Sequence, residues 1–348
     1  MRILLIQTAP LGDVVLTTPL LRCLKQLLPE SELTVISTAT GCSLLRGSPW
    51  IDRLWSHDKH PLRFAGQFEI LGRIRAARFD VAIAAHRSFR TAVGILWSGA
   101  SVRIGFRDAA GSWAYNRKPE RDLASHAVTR YLALARPLGA SGAGDPSPEL
   151  LVHPLARERI DTLLADEGIV REARLACVAP GAARPTKRWL PRGFAVVVDA
   201  VASRGLQAVL VGTAEERELC QGIADRCRRS PVVLAGRTGI PELMALLSRA
   251  EVLVGNDSGT AHVAAAFGTP VISVYGPTVP EMGYHAYGTG HRFVGHDVLD
   301  CRPCDHHGPR QCPLGHFRCM RELGAERVVA ALDAVLDHGD RAAQRLPG

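Results

Sequence analysis

The sequence predicts an α/β protein built from two doubly wound parallel sheets. Short apolar runs alternate with helical patterns through both halves of the chain, as in strands that pair in parallel and are joined by helices. A segment rich in Gly, Ser and Pro, 139–154, separates the halves, and 348 residues suffice for two domains of ordinary size. We therefore expect two lobes, joined by a linker, with a ligand cleft between them.

The composition is that of a globular protein, with 47% hydrophobic and 22% charged residues. No stretch approaches the ~18 apolar residues that cross a bilayer, and the apolar run after Met1-Arg2 ends at Asp13 without a cleavage site. We expect a cytosolic protein whose nine cysteines stay reduced. The net charge of +8 predicts an acidic partner, such as a nucleotide or an anionic lipid headgroup. With 5% aromatic residues and no basic helix with interleaved aromatics, nucleic acid is disfavoured.

The first half carries five candidate strands. They lie at 3–6, 33–36, 50–55, 81–85 and 102–106. Helical patterns cover 14–28 and 122–138, and Pro19 is expected to bend or restart the first helix. No G-x-G-x-x-G pattern follows the first strand, so we do not expect a nicotinamide-binding domain.

The second half repeats the strand–helix alternation. Candidate strands at 175–178, 208–211, 232–234, 252–254 and 271–274 alternate with helices at 191–203, 214–227, 240–249 and 258–267. Ligands of open parallel sheets bind beyond the carboxyl ends of the strands. Polar residues that directly follow a strand are therefore the candidates for chemistry.

The clearest candidate follows the strand at 252–254, where Asn256-Asp257-Ser258-Gly259-Thr260 leads into a small-residue helix. These residues favour a helix N-terminus with free N–H groups and no carboxylate in its first turn, which attracts an anion such as phosphate. Gly259 permits close approach, and His262 lies one turn in. An ordinary capped helix, and a structural role for His262, remain the alternatives.

Gly12-Asp13 opens the first helix in the same way. A carboxylate in this position could take a proton from a substrate hydroxyl. Helix capping and a favourable interaction with the helix dipole would explain the same residue.

Two further turns in the second half carry charge. The loop 180–191 contains Arg184, Lys187 and Arg188, whose cations suit phosphate oxygens, although solvated surface charge is the alternative. Glu215 and Glu216 follow the strand at 208–211, where an acidic residue can accept hydrogen bonds from ribose hydroxyls. Interaction with the helix dipole would explain these two residues equally well.

Four cysteines lie within nineteen residues near the C-terminus: Cys301, Cys304, Cys312 and Cys319. Their number and the Pro- and Gly-rich context predict a structural zinc clip. The second pair lacks the C-x2-C spacing of zinc ribbons, so an oxidisable cluster or buried free thiols remain open.

Taken together, these segments resemble the lipopolysaccharide heptosyltransferases of glycosyltransferase family 9. RILLIQTAPLGDVVLTTPLL resembles the family's first strand, Gly-Asp turn and Thr-Pro helix. PGAARPTKRWLP resembles its Lys-x-Trp-Pro loop, with Leu190 as one extra residue before the proline. GNDSGTAHVAAAFGTPVISVYGPT resembles its Asp-[Ser/Thr]-Gly-x-x-His signature, and the CRPC…QCPLGHFRCM segment is like that of heptosyltransferase II-type members.

The resemblance implies a GT-B fold. Residues 1–145 would form the acceptor lobe, 146–320 the nucleotide-sugar lobe with the cysteine cluster, and 321–348 a helix that returns to the first lobe, followed by a tail. It also implies the inverting transfer of heptose from ADP-L-glycero-D-manno-heptose to the inner core of lipopolysaccharide. The enzyme would act at the inner face of the inner membrane, as a peripheral protein.

The same resemblance assigns roles to individual residues. Asp13 would be the catalytic base, and Lys187 would contact the diphosphate and serve catalysis. The donor site would comprise Gly12, Lys187, Arg188, Glu215, Asp257, Ser258, Gly259, Thr260 and His262. Glu215 is the favoured match for the ribose-binding acid, with Glu216 one position away.

No Asp-x-Asp pair is present in the donor lobe to hold Mg²⁺, so we expect catalysis without a metal. Four basic residues of the first lobe are candidate acceptor contacts: Lys59, Arg63, Arg87 and Arg90. A sugar-nucleotide 2-epimerase, or a non-catalytic nucleotide- or glycan-binding protein on the same fold, are the alternatives.

Overall fold

The computed structural model describes residues 1–57, 64–142 and 144–343, without the side chains of 64–67 and 338–343. The chain forms two compact units, Met1–Leu151 and Val152–Gly348. The boundary between the units lies six residues beyond the predicted one. Residues 145–151 belong to the first unit because hydrogen bonds join them to it. Arg22 donates to Glu149 at 3.1 Å, and Trp50 donates to the same carboxylate at 3.0 Å. The last helix belongs to the second unit.

The first unit is a five-stranded parallel sheet of order β3-β2-β1-β4-β5. Its strands are β1 (Arg2–Ile6), β2 (Glu32–Ser37), β3 (Arg53–Ser56), β4 (Val81–Ala84) and β5 (Val102–Gly105). Its helices are α1 (Leu11–Leu27), α2 (Ala39–Leu45), α3 (Phe64–Ala76), α4 (Phe89–Trp97) and α5 (Ala127–Leu132). The central strands are apolar on both faces because helices cover the two sides of such a sheet.

Helix α1 runs through Pro19 without the predicted interruption. A proline lacks the N–H that would bond to the carbonyl four residues earlier, here that of Val15. The hydroxyl of Thr18 donates to this carbonyl at 2.8 Å. The acceptor that proline leaves unpaired is thereby satisfied from the neighbouring side chain.

The second unit is a six-stranded parallel sheet of order β11-β10-β9-β6-β7-β8. Its strands are β6 (Leu175–Ala179), β7 (Gln207–Leu210), β8 (Val232–Val233), β9 (Val252–Asn256), β10 (Val271–Tyr275) and β11 (Arg292–Gly295). Its helices are α6 (Pro154–Asp166), α7 (Pro191–Ser203), α8 (Arg217–Ala224), α9 (Ile240–Leu247), α10 (Gly259–Ala266), α11 (Arg318–Arg321) and α12 (Ala325–Ala343). Helix α12 packs on α7, β10 and β11 of this unit.

The two parallel sheets are confirmed, and the differences lie at the ends of elements and at one edge. The sequence did not predict β11, a short edge strand in which only Val294 is buried. The helical pattern at 122–138 begins only at Ala127, because the carbonyls of Asp122 and Leu123 accept from Arg130 and hold this entry in a turn. Within the described residues, no helix is both long and apolar enough to cross a membrane.

Candidate active site

In the first unit, Asp13 lies in the first turn of α1, directly beyond the carboxyl end of β1. The turn is held by Gln7, whose side chain donates to Thr17 at 2.7 Å and accepts from the N–H of Ala9 at 3.2 Å. Tyr131 of α5 donates its phenol proton to Asp13 Oδ1 at 2.6 Å. The carboxylate of Asp13 is half-buried and fixed in orientation. Gly12, the residue before it, is half-buried as well.

Of the four basic residues that we predicted to contact the acceptor, the structure describes two. Arg87 and Arg90 follow β4, the neighbour of β1, and both are exposed. Arg87 pairs with Asp108 at 3.2 Å, so part of its charge is already compensated. Lys59 and Arg63 lie outside the described residues.

In the second unit, the candidate residues follow four neighbouring strands, β7, β6, β9 and β10. The carboxyl ends of parallel neighbours meet at one edge of the sheet, so the turns after them converge there. This edge carries the loop 180–190, the turn 211–216, the turn 256–260 and the segment 276–280. The predicted donor residues of this unit thus belong to one group of loops.

Asn256, the last residue of β9, connects these loops and was not predicted as a site residue. Its side chain is fully buried. Its amide nitrogen donates to the carbonyl of Pro180 at 2.7 Å, and its amide oxygen accepts from the N–H of Trp189 at 3.0 Å. Both ends of the loop that carries Lys187 are therefore bound to one side chain. A polar residue ending a fully apolar strand was the available sequence signal.

The side chain of Trp189 packs beneath the loop that carries Lys187. Its indole ring is buried, packs edge-on against Phe194 with a centroid distance of 5.1 Å, and donates to the carbonyl of Leu323 at 3.2 Å. Gly193 leaves the space that the ring occupies, since a Cβ there would lie 2.4 Å from it.

Lys187 and Asp257 form the charged centre of the group. The ammonium nitrogen lies 2.5 Å from Asp257 Oδ2, with the two side chains 15% and 12% exposed. Thr278, after β10, donates to the same oxygen at 2.7 Å. Thr278 was not predicted individually, although it belongs to the Tyr-Gly-Pro-Thr segment that carries the resemblance.

Helix α10 begins beside this pair. Ser258 is its N-cap residue, but the serine side chain makes no capping hydrogen bond, and no acidic residue lies in the first turn. Gly259 and Thr260 thus open a helix whose first N–H groups are not bound by the N-cap side chain. With Lys187 close by, this end has the charge and the donors that an anion requires.

His262 lies one turn into α10 and is 7% exposed, and its Nδ1 has no hydrogen-bond partner among the described groups. Burial lowers the pKa of this histidine to about 4, against the opposing effect of Asp257. The imidazole is therefore neutral near pH 7. His285, Lys187 and His291 reinforce the downward shift of its pKa.

A capping box distinguishes the two acidic residues after β7, Glu215 and Glu216. Glu216 accepts from the N–H of Thr213 at 2.9 Å, and it lies so close to Gly181 and Gly212 that a Cβ on either would meet the carboxylate. Glu215, the favoured match for a ribose-binding acid, is exposed. The structure brings Glu216 rather than Glu215 to the loops after β6 and β7, and Arg188 lies 4.0 Å from it.

The cysteine segment packs on the same edge. Arg302 donates to the carbonyls of Tyr275 at 3.2 Å and Thr278 at 3.1 Å, and also to those of Gly276 and His296. Thr186 donates to the carbonyl of Pro309. Gly308, with φ of 77°, lies against the Lys187 side chain, 3.2 Å from where a Cβ would be. The segment therefore forms one wall beside Lys187.

Among the described residues, no three His, Cys, Asp or Glu side chains are arranged to hold a metal ion, and the zinc clip of the four thiols stays a prediction. Cys319 is buried in the core, where burial raises the pKa of its thiol to about 11. Burial, and then the neighbouring Cys301 and Cys312, raise the pKa of Cys304. The cysteines thus lie near one another without converging on a common point.

A parallel α/β sheet in each of two units is the architecture of the GT-B class of glycosyltransferases. A family model, Glycosyltransferase family 9 (heptosyltransferase), matches residues 68–314. The chain therefore belongs to glycosyltransferase family 9, and it is an enzyme of the glycosyltransferase type.

The relatives agree with this family. The chain is 27% identical to the lipopolysaccharide core heptosyltransferase OpsX of Haemophilus influenzae, over 78% of each chain. A glycosyl transferase family 9 structure from Veillonella parvula superimposes with a TM-score of 0.85 at 24% identity, over 97% of both chains. The ADP-heptose lps heptosyltransferase II of Escherichia coli gives a TM-score of 0.79 at 23% identity, covering 98% of this chain and 100% of that one.

Replacing Asn256 tests its role in the loop. Asn256→Ala leaves the N–H of Trp189 and the carbonyl of Pro180 buried without partners, each at about 1–3 kcal/mol. We expect the free energy of unfolding of the second unit to fall by about 2–5 kcal/mol, measured in urea by Trp189 fluorescence. Gln221→Ala, on the exposed side of α8, is the control and should stay within about 0.5 kcal/mol. An unchanged Asn256→Ala variant would contradict this role.

The depressed pKa of His262 makes stability depend on pH. Its pKa is 6.5 when unfolded and about 4 when folded, so the unfolded chain binds a proton first as the pH falls. The free energy of unfolding therefore has its full value above pH 6.5. It falls between pH 6.5 and 4, by about 1.4 kcal/mol per pH unit. Urea titrations across this range should show a shallower pH dependence for His262→Gln than for wild type. The exposed His306→Gln should keep the wild-type slope, and parallel curves for all three proteins would refute the assignment.

Proposed function

We propose that this protein is an inverting heptosyltransferase of lipopolysaccharide core synthesis. It would transfer heptose from ADP-L-glycero-D-manno-heptose to an inner-core acceptor, Kdo or heptose, carried on lipid A. The observation that carries the proposal is the Lys187–Asp257 pair at the N-terminus of α10. It combines a fixed cation with main-chain donors at the point where a nucleotide diphosphate would need them. The family and its lipopolysaccharide-modifying relatives support the heptosyl group and the acceptor.

On the donor side, the reaction requires stabilisation of a leaving diphosphate. As the bond from the anomeric carbon to the phosphate oxygen breaks, negative charge builds up on ADP. Lys187 has protons beyond the one directed at Asp257, and Ser258, Gly259 and Thr260 open a helix with its positive end toward the phosphates. His262, neutral and buried, can add a hydrogen bond without adding charge.

On the acceptor side, Asp13 would act as the base. The acceptor hydroxyl oxygen attacks the anomeric carbon from the face opposite ADP, its proton passes to Asp13, and ADP departs with the electrons of the broken bond. This single displacement inverts the anomeric centre and requires one carboxylate, unlike the pairs that glycosidases use. The hydrogen bond from Tyr131 supports the role, because it orients the carboxylate of Asp13.

The nucleoside would be recognised by the turn after β7. Glu216 lies beside the glycine turns and is the residue we propose for the ribose hydroxyls, in place of Glu215. Arg188, which donates to the carbonyl of Ala182 at 2.8 Å, lies next to it and could contact the phosphates. We propose adenine as the base on the family resemblance.

An enzyme that needs no catalytic metal fits this site. The carboxylate of Asp257 is already engaged by Lys187 and Thr278 through one oxygen. Lys187 and the α10 N-terminus can neutralise the diphosphate in the place of Mg²⁺. The alternative of a 2-epimerase requires turnover of the nucleotide-sugar alone, and a non-catalytic binding protein requires no turnover at all.

Asp13→Asn is the direct test of this mechanism. We expect kcat to fall by a factor of about 10² or more, because the amide cannot take the proton, with near-normal binding of ADP by calorimetry. Turnover is followed with ADP-heptose and a panel of truncated core acceptors, which also identifies the acceptor. Glu30→Gln, an exposed carboxylate after α1, is the matched control. Full activity in Asp13→Asn, or release of ADP without acceptor, would reject the proposal.

Chelation tests whether catalysis requires a metal ion. Activity should survive EDTA, because the charge of the leaving group is met by protein donors. Metal analysis of the same preparation tests the zinc prediction: about one zinc per chain would show that the four sulfurs converge on a metal. Substoichiometric zinc with four titratable thiols would agree with the arrangement described above. Activity lost in EDTA and restored only by a divalent cation would overturn metal-independent catalysis.

A further inference from the structure

Helix α4 is apolar on two opposite sides. One side, which includes Ala92 and Ile95, is buried in the first unit. The other carries Phe89, Val93, Leu96 and Trp97, whose spacing of four, three and one residues places them along one stripe. Phe89 and Trp97 are 55% and 54% exposed. The outward side of α4 thus presents large apolar groups to solvent where a surface helix normally presents polar ones.

Trp113 extends this stripe from a neighbouring segment. It lies in a 3-10 turn, Ser112–Ala114, which packs on α4. Its ring is 6.3 Å from that of Phe89 and is 60% exposed. Gly111, at φ 81°, allows the turn to approach α4, since a Cβ there would lie 2.6 Å from Ala92. We name the surface formed by Phe89, Val93, Leu96, Trp97 and Trp113 the α4 face.

The α4 face lies in a basic part of the chain. Residues 87–121 contain seven cations and two carboxylates, a net charge of +5 out of +8 for the whole protein. One of the carboxylates, Asp108, is bound by both Arg87 and Arg121. Three exposed cations of this segment form no ion pair with any described residue: Arg90, Arg117 and Lys118. The segment that carries the apolar stripe therefore also carries exposed positive charge that no described carboxylate compensates.

The apolar stripe and the positive charge together indicate one kind of partner, an anionic membrane. Large apolar patches on a protein surface mark interaction sites, and Trp and Phe beside Arg and Lys are typical of helices that lie in the interface of an anionic membrane. The cations are attracted to the lipid phosphates, and the rings enter the headgroup–acyl boundary. A protein partner or a second copy would satisfy the apolar stripe but not explain the excess of positive charge.

We propose that the α4 face docks this protein on an anionic lipid bilayer. This inference rests on the proposed function, in which the acceptor is anchored in a membrane. The geometry favours it, because α4 begins directly after β4, the neighbour of β1, and β1 leads into Asp13. Docking through this face keeps the edge of the sheet that carries Asp13 beside the lipid headgroups.

Vesicle binding by the full chain tests the proposal without any turnover. Wild type should sediment with vesicles containing phosphatidylglycerol, and binding should weaken in pure phosphatidylcholine and in high salt. Trp55 and Trp189 are buried and Trp50 is half-buried, so a blue shift and quenching by brominated lipid would come largely from the exposed Trp97 and Trp113. The double substitution Leu96→Gln/Trp97→Gln and the single Trp113→Gln should each lower vesicle affinity by about tenfold.

Leu155→Gln, which removes an exposed leucine from α6 of the second unit, is the matched control and should bind vesicles as wild type does. Urea unfolding of each variant shows that the fold is retained. Wild-type vesicle affinity in both α4-face variants would overturn the proposal. So would a dimer of the wild type, seen by light scattering, that the same variants dissociate without any effect on vesicles.

Activity assays separate this proposal from the proposed function. With a lipid-free, deacylated core acceptor, the α4-face variants should turn over as wild type does, while with the acceptor embedded in anionic vesicles they should be slower. Equal loss on both acceptors would assign the face to acceptor-glycan binding and overturn the docking role. If wild type transfers heptose to neither acceptor, the proposed function fails, whatever the vesicle binding shows.

Discussion

The buried amide of Asn256 holds together the loops on which the proposed donor site depends. An amide carries both donor and acceptor atoms, so this one side chain satisfies the carbonyl of Pro180 and the N–H of Trp189, nine residues further on. Both groups are away from water, where an unpaired donor or acceptor is costly. The loop between them is therefore confined to one path, and that path brings Lys187 to Asp257.

The electrostatics of the site follow from this confinement. Lys187 and Asp257 are mostly withdrawn from solvent, so their attraction is screened less than that of a surface pair. The same burial keeps His262 neutral by lowering its pKa to about 4. The result is one ion pair beside a helix N-terminus, with a neutral imidazole one turn away. For the diphosphate that we propose at this site, a neutral His262 avoids the repulsion between Lys187 and a second buried cation.

The cysteine segment contributes to this site through packing. Arg302 binds four main-chain carbonyls and joins the segment to the turn after β10, from which Thr278 reaches Asp257. Gly308 lies against the methylene groups of Lys187, where any larger residue would push the lysine away. The segment that the sequence singled out for its thiols is thus also a wall of the proposed donor site. Its glycine and arginine make these packing contacts.

The sequence alone determined the two parallel sheets and the turns that carry function. Apolar runs and helical periodicity are local patterns, and the carboxyl ends of parallel strands are known once the strands are known, so Asp13, Lys187 and the turn 256–260 could be named in advance. The family resemblance added roles that spacing could not supply, notably for His262. It also favoured Glu215, whereas a capping box turns its neighbour Glu216 toward the glycine turns.

Only the tertiary structure decided which side chains meet. Asn256 and Pro180 are 76 residues apart, Tyr131 and Asp13 are 118 residues apart, and Arg302 acts on carbonyls of a different loop. No local pattern records such pairs, because each depends on how strands order themselves in a sheet and how helices pack upon it. The burial that shifts the pKa of His262, and the exposure of the α4 face, have the same origin. Both are properties of a side chain's surroundings, and those surroundings exist only after the chain has folded.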